Sequence, residues 1–151
     1  MLELDLTGKT ALITGATGQL GRVMAHTLAD CGADIAVHYH ANRLQADKLV
    51  AELTRMGRRA LAVQADVTDR DSVFAMRDKV EAALGMPQIL VHNAVIQYAW
   101  KPVLQQDPGD FDSQYRSCVM QTVYMAQAFV PAMQAAHYGR CLLYTSPSPR
   151  D

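Results

Sequence analysis

Thr14-Gly15-Ala16-Thr17-Gly18-Gln19-Leu20-Gly21 follows the apolar run Thr10–Thr14 directly and opens a helical pattern. Glycines let a backbone turn sharply and come close to a bound group. A helix starting at such a turn presents unpaired N–H groups and a partial positive charge. The chemistry this supports is the cradling of a pyrophosphate. The other residues with chemical potential are more scattered. His38 and His40 point to one face of a strand pattern, but no Cys or acid at matching spacing gives a third ligand, so no metal site is expected. His26 reads as a helix-surface residue. Arg43 can pair a phosphate through charge-assisted hydrogen bonds. Cys118, with no histidine near it in sequence to activate it, reads as a core residue on an inward helical face.

These residues are positioned by short apolar runs that alternate with helical stretches. Strands are expected at Thr10–Thr14, Ile35–Tyr39, Ala60–Ala65 and Gln88–His92. Leu20, Val23, Met24 and Leu28 mark a first helix, with Gly32 as its stop. Ala46, Leu49, Val50, Leu53 and Met56 mark a second, stopped by Gly57. Thr68 with Asp71 resembles a capping box, and Val73, Met76, Val80 and Ala83 continue as a third helix. After a loop holding Pro102 and Pro108, a long fourth helix is expected over Phe111–Met133. Its shared face would carry Phe111, Tyr115, Val119, Thr122, Ala126 and Phe129. Near-continuous apolar strands joined by helices imply a parallel sheet covered on both sides. The expected fold is therefore α/β, a Rossmann-like doubly wound parallel sheet, here truncated after the fourth helix.

Composition narrows the function classes. The chain has 151 residues, 50% apolar and 19% charged, with a formal net charge of −1. Its 14 Lys and Arg form no basic stripe interleaved with aromatics, which argues against a nucleic-acid partner. No apolar run is long enough for a membrane span, and the first residues, acidic and without an apolar core, do not read as a signal peptide. Three widely spaced cysteines form no disulfide framework. A reduced, cytoplasmic setting is expected.

Residues 5–140 resemble the short-chain dehydrogenase/reductase family. Four features carry the resemblance: the glycine turn, Asp66-Val67 after the third strand, Asn93-Ala94 after the fourth, and Gln127-Ala128-Phe129-Val130-Pro131-Ala132-Met133. The turn reads TGxxGxxG, more typical of the family's extended members; classical members carry TGxxxGxG. The Gln127–Met133 segment resembles the classical branch, and in particular 3-oxoacyl-carrier-protein reductases in a general way. At Ile89–Val95 the family's NNAG is matched at Asn93 and Ala94, while His92 and Val95 depart from it. The resemblance implies that Gly15, Thr17, Gly18, Gln19, Leu20 and Gly21 contact the pyrophosphate and ribose of a nicotinamide dinucleotide. It places Asp66 and Val67 at the adenine, and Asn93 and Ala94 also against the cofactor. At the end of the second strand, an acid would bond the adenosine ribose and repel a 2′-phosphate. Tyr39 stands there, followed by His40, Asn42 and Arg43, so NADP is favoured over NAD.

The family's acid/base is a Tyr with a Lys four residues later, supported by a Ser and an Asn. None of Lys9, Lys48, Lys79 and Lys101 follows a Tyr by four, and the Asn position falls on Cys118. Tyr98-Ala-Trp-Lys101 is one residue short and reads as loop. No catalytic residue is assigned, and the chain as written is expected to lack reductase activity. Family members run to about 250 residues as one domain, so residues 1–140 read as the N-terminal, NAD(P)-binding part of a longer parent. That parent would interconvert a small-molecule carbonyl and alcohol, and would be a homo-oligomer. Cys141–Asp151 (CLLYTSPSPRD) matches the translation of a widely used transposon sequencing adapter and reads as a non-native tail. Its first residues look like a strand, and neither that strand nor Ser146 is taken as evidence of function. The alternatives are an extended-branch isomerase or dehydratase, and a non-catalytic dinucleotide-binding module.

Overall fold

The computed structural model describes residues 4–143. Tyr144–Asp151, which hold Ser146 and most of the expected tail, lie outside the described residues. The elements run β1 (Thr10–Ile13), α1 (Gln19–Asp30), β2 (Asp34–Tyr39), α2 (Arg43–Arg55), β3 (Ala60–Gln64), α3 (Arg70–Leu84), β4 (Ile89–His92), α4 (Pro108–Tyr115), α5 (Gln121–Ala135) and β5 (Arg140–Leu143). All pairings are parallel, and the sheet order is β3-β2-β1-β4-β5. The expected α/β doubly wound sheet is therefore present. Arg140–Leu143 extend it by a fifth, exposed edge strand against β4.

Strand alternation divides the core in two. Ala11, Ile13, Ile35 and Val37 pack with Ala25, Ala29, Leu49 and Leu53 of α1 and α2. Leu12, Ala36, Val63 and Leu90 face the other way, onto Val73, Met76 and Val80 of α3 and Met125 and Phe129 of α5. Each side hides a helix's apolar stripe, which a lone helix of this length in water would leave exposed. Strand order reverses direction between β1 and β4. This is the point where an open α/β sheet leaves a crevice beyond its carboxyl ends.

Two expectations change at helix boundaries. The cap of α3 is Asp69, whose carboxylate accepts the Ser72 N–H at 2.8 Å, rather than Thr68 with Asp71. Thr68 is already committed, since its N–H and hydroxyl both donate to Asp66 Oδ1 (2.8 and 2.7 Å). The long fourth helix is interrupted: α4 and α5 are separated by a π turn over Arg116–Met120. A π turn adds a residue to the helical circuit, so positions before it rotate away from the face that follows. Phe129 is fully buried, whereas Phe111, Tyr115 and Val119 are about half exposed. The buried face of α5 is instead Gln121, Met125, Ala128, Phe129 and Met133. Cys118, expected in the core, is exposed for the same reason.

Candidate functional site

The glycine turn leaves β1 at Thr14 and enters α1 at its cap, Gly18. Gly15 has φ +63°, a conformation that L side chains rarely adopt, and a Cβ there would lie 3.0 Å from Ala94 Cα. Gly21 needs its missing Cβ for packing: the atom would fall 2.7 Å from Ala16 Cα and closer still to the Gly15 carbonyl oxygen. No side chain caps α1. The N–H groups of Gln19, Leu20 and Gly21 have no acceptor within the helix, as in any first turn. Those of Gln19 and Leu20 lie beside a cleft of about 830 Å³, within the size range of small-molecule and cofactor sites.

Gly15, Thr17, Gly18, Gln19 and Leu20 line this cleft along its middle. His40 and Asn42 line one end together with Asp66 and Val67. Asn93 and Ala94 line the other end, beside Val95, Ile96 and Ser117. Two expected residues lie outside the lining. Gly21 is buried behind the turn. Arg43 starts α2 with its Nε donating to Asp47 at 3.2 Å on the exposed face. Tyr39, which ends β2, is buried on the α1/α2 side of the sheet.

Hydrogen bonds between distant segments hold the cleft's floor. The Thr14 hydroxyl accepts the N–H groups of Asn93 and Ala94 (3.0 Å each) and donates to Gln121 Oε1 (2.6 Å). That uses its one donor and both lone pairs. Gln121 Nε2 donates to the carbonyls of Ala94 (3.0 Å) and Ser117. The amide therefore joins β1, the loop after β4 and the first turn of α5. The Ser117 bond places a side chain in the i to i−4 ladder, which gives a physical cause for the π turn. Ser117 in turn accepts the Ile96 N–H at 3.2 Å, and Asn93 Nδ2 donates to the Thr14 carbonyl at 3.1 Å.

His38 joins the glycine turn to the end of β3. Gly15 N–H donates to His38 Nδ1 (3.0 Å), and His38 Nε2 lies 3.1 Å from the Ala65 carbonyl. An N–H can only donate, so Nδ1 carries no proton and Nε2–H is the donor to Ala65. Burial drives the His38 pKa down to about 4, with His40 adding to the depression and the Ala65 bond and Asp66 opposing it. Asp66 is pushed up by burial, but its two bonds from Thr68 and the charges of His40 and His38 leave it below the usual carboxylate range. His92, at the end of β4, is held neutral by burial, with a pKa of about 4. Sequence reasoning missed Gln121 and Ser117 and read His38 only as half of an incomplete metal site.

No helix among the described residues is long and apolar enough to cross a membrane. Tyr98 and Lys101 sit in the loop between β4 and α4, as expected of that loop.

Known proteins agree with this architecture. The sequence model of the family described as short chain dehydrogenase matches residues 9–149. A 3-oxoacyl-[acyl-carrier-protein] reductase of Staphylococcus aureus is 40% identical over 88 residues, covering 58% of this chain and 36% of that protein. The crystal structure of a gluconate 5-dehydrogenase from Burkholderia cenocepacia, in complex with NADP and tartrate, superposes with a TM-score of 0.82 at 32% identity. It covers 92% of this chain and 54% of that one. An NAD+-bound xylitol dehydrogenase gives a TM-score of 0.83 at 31% identity, over 89% of this chain and 52% of its own. The chain spans between 36% and 59% of the length of the curated relatives it matches. Glycine turn, strand order and sequence match point the same way, and the chain belongs to the short-chain dehydrogenase/reductase family.

Proposed function

We propose that residues 1–140 are the dinucleotide-binding part of an oxidoreductase that interconverts a small-molecule carbonyl and alcohol. The observation that carries this is the cleft at the sheet's switch point, where the uncapped start of α1 faces the ends of β2, β3 and β4. The amides of Gln19 and Leu20 would hold the pyrophosphate. Asp66 and Val67 would meet the adenine, and Asn93 and Ala94 the nicotinamide half. When bound, a nicotinamide cofactor supplies the hydride, and the protein binds and orients it.

NADP is favoured over NAD. The position at the end of β2 that would carry a ribose-binding acid is a buried tyrosine, Tyr39. His40 and Asn42 replace a carboxylate in the lining, and Arg43 is one residue further on. Arg43 holds Asp47 in an exposed pair, an arrangement easily exchanged for a phosphate. The gluconate dehydrogenase structure contains NADP and the xylitol dehydrogenase structure NAD+, so both cofactors occur among similar folds.

Since no tyrosine is followed four residues later by a lysine, we expect no carbonyl reduction from the 151 residues alone. The exposed apolar side chains of Phe111, Tyr115, Val119 and Val123 support a homo-oligomeric parent. Cys141–Asp151 are read as an adapter-derived appendage, and sequencing the source DNA across this junction tests that reading. The cofactor proposal is tested by fluorescence titration with NADPH and NADH. Tighter NADPH binding is expected; tighter NADH binding overturns the preference, and no binding of either overturns the reading of the cleft.

A further inference from the structure

His38 is the last residue of β2 whose side chain turns toward α3 and α5, two positions after Ala36 on the same face. The β2–β3 ladder ends one pair beyond it, at Tyr39 and Gln64, and the Gly15 N–H and the Ala65 carbonyl fall outside the ladders. Gly15 lies past the end of β1, and Ala65 past the end of β3. One ring serves both, accepting from Gly15 N–H (3.0 Å) and donating to the Ala65 carbonyl (3.1 Å). Only a neutral imidazole offers one acceptor and one donor at opposed ring positions. The main chain of His38 adds a third tie, its carbonyl accepting the Ala16 N–H at 3.0 Å.

The far side of the Gly15 peptide is held as firmly. The Gly15 carbonyl accepts from Asn93 Nδ2 (3.2 Å) and from the Gly18 N–H (3.1 Å), and the Gly15 Cα region abuts Ala94. Gly15 N–H is therefore already committed and is not free for a phosphate oxygen. Its conformation, at φ +63°, aims the turn that follows.

We propose that His38 is a positioning residue of the dinucleotide site: through its Nδ1 it fixes the Gly15 peptide, so that the amides at the start of α1, and not that of Gly15, receive the cofactor's pyrophosphate. This rests on the dinucleotide reading above and assigns a role inside that site. His38 does not touch the reacting atoms; it acts through the turn. Loss of its acceptor frees the Gly15 peptide to rotate, and the turn then samples arrangements that cannot hold a phosphate.

Two substitutions separate this role from simple packing. In His38→Asn the side-chain oxygen takes the place of Nδ1 and keeps the bond from Gly15, while the donor to Ala65 is lost. In His38→Gln the amide reaches the place of Nε2 and keeps the bond to Ala65, while Gly15 N–H is left unpaired. Both are compared with the unmodified chain by NADPH titration, by urea denaturation and by hydrogen exchange at the Gly15 amide without cofactor. His38→Asn is expected to bind NADPH within about threefold of the unmodified chain, and His38→Gln to bind about tenfold more weakly, the scale of one net hydrogen bond. The Gly15 amide stays protected in the first variant and exchanges freely in the second. Equal losses of affinity in the two variants, following equal losses of stability, overturn the positioning role. An unmodified chain that binds neither NADPH nor NADH overturns the dinucleotide reading, a result distinct from binding that ignores the Asn/Gln contrast. The ring itself gives a readout that needs no variant: nitrogen NMR should show Nδ1 bare and Nε2 protonated, and the opposite tautomer refutes the geometry.

Discussion

Replacing Gly21 with alanine tests whether the glycine turn is built by close packing. Two opposing effects act at this site. Alanine gains at most about 1 kcal/mol over glycine from helix propensity, the value for a helix interior, since Gly21 lies in the first turn of α1. Against this, the new Cβ would lie 2.7 Å from Ala16 Cα and closer still to the Gly15 carbonyl oxygen. Both neighbours are backbone, so no flexible side chain can move aside. Overpacking of this kind costs about 1–3 kcal/mol, and here the upper part of that range applies because the shift must move a turn already held by His38, Asn93 and Ala94. The net expectation is a loss of about 1–2 kcal/mol. Gly18→Ala is the matched control. Gly18 has φ −72°, and its Cβ would meet only the Gly15 oxygen at an ordinary 3.4 Å. Alanine is a poorer cap than glycine, but it also restricts the unfolded chain by about 0.4–1 kcal/mol, so the two terms nearly cancel. Urea denaturation of the two variants should give a clear loss for Gly21→Ala and little change for Gly18→Ala. A Gly21→Ala variant as stable as the unmodified chain, or a larger loss from Gly18→Ala, refutes the packing argument.

Acid sensitivity follows from the two buried histidines. With pKa values of about 4 in the folded chain against 6.5 for a free histidine, the unfolded state binds more protons between those limits. Stability is thus complete above pH 6.5 and falls as pH drops toward 4, by about 3 kcal/mol per ring. Urea midpoints at pH 7.5 and 4.5 check this, and a flat profile contradicts it. Gln121→Leu leaves the carbonyls of Ala94 and Ser117 without their partner and the Thr14 hydroxyl with only its longer bond to the Val91 carbonyl (3.3 Å), so a loss of about 2–4 kcal/mol in urea is expected. A loss below about 1 kcal/mol would mean the network carries little energy. Finally, the π turn predicts that a thiol reagent labels Cys118 in the folded chain faster than the half-buried Cys31. Equal rates, or protection of Cys118, would restore the uninterrupted helix.

The sheet was legible because burial on both faces writes itself as short apolar runs, as at Ala11–Ile13 and Ile35–Val37. The glycine turn was legible because its demands are local: a positive φ at Gly15 and no room for a Cβ at Gly21. The helix at Phe111–Met133 failed where a local pattern met a distant contact. Its spacing suits one continuous face, and what breaks that face is the Gln121 amide, whose partners Thr14 and Ala94 lie 107 and 27 residues away. Nothing in the periodicity of Phe111, Tyr115 and Val119 records that. The cap at Asp69 was missed for a nearer reason, since Asp66 takes the Thr68 hydroxyl first.

A pattern in the strands does carry part of the missing information. Along the face toward α3 and α5, Leu12 is followed two residues later by Thr14, Ala36 by His38 and Leu90 by His92. Each central strand thus turns from apolar to polar at its last inward position, on the side where the sheet opens to the cleft. All three polar side chains are buried: Thr14 is 0%, His38 1% and His92 6% exposed. Polar groups in such places must be paired or they cost stability. Thr14 and His38 are paired with the very peptides that shape the cleft, through Asn93, Ala94 and Gly15. A single polar residue ending the inward row of a buried parallel strand is therefore more informative than the charges around it. Arg43 and Tyr98-x-x-Lys101 draw the eye in the sequence, yet they stand outside the cleft lining. Thr14 and His38 look unremarkable and hold its floor.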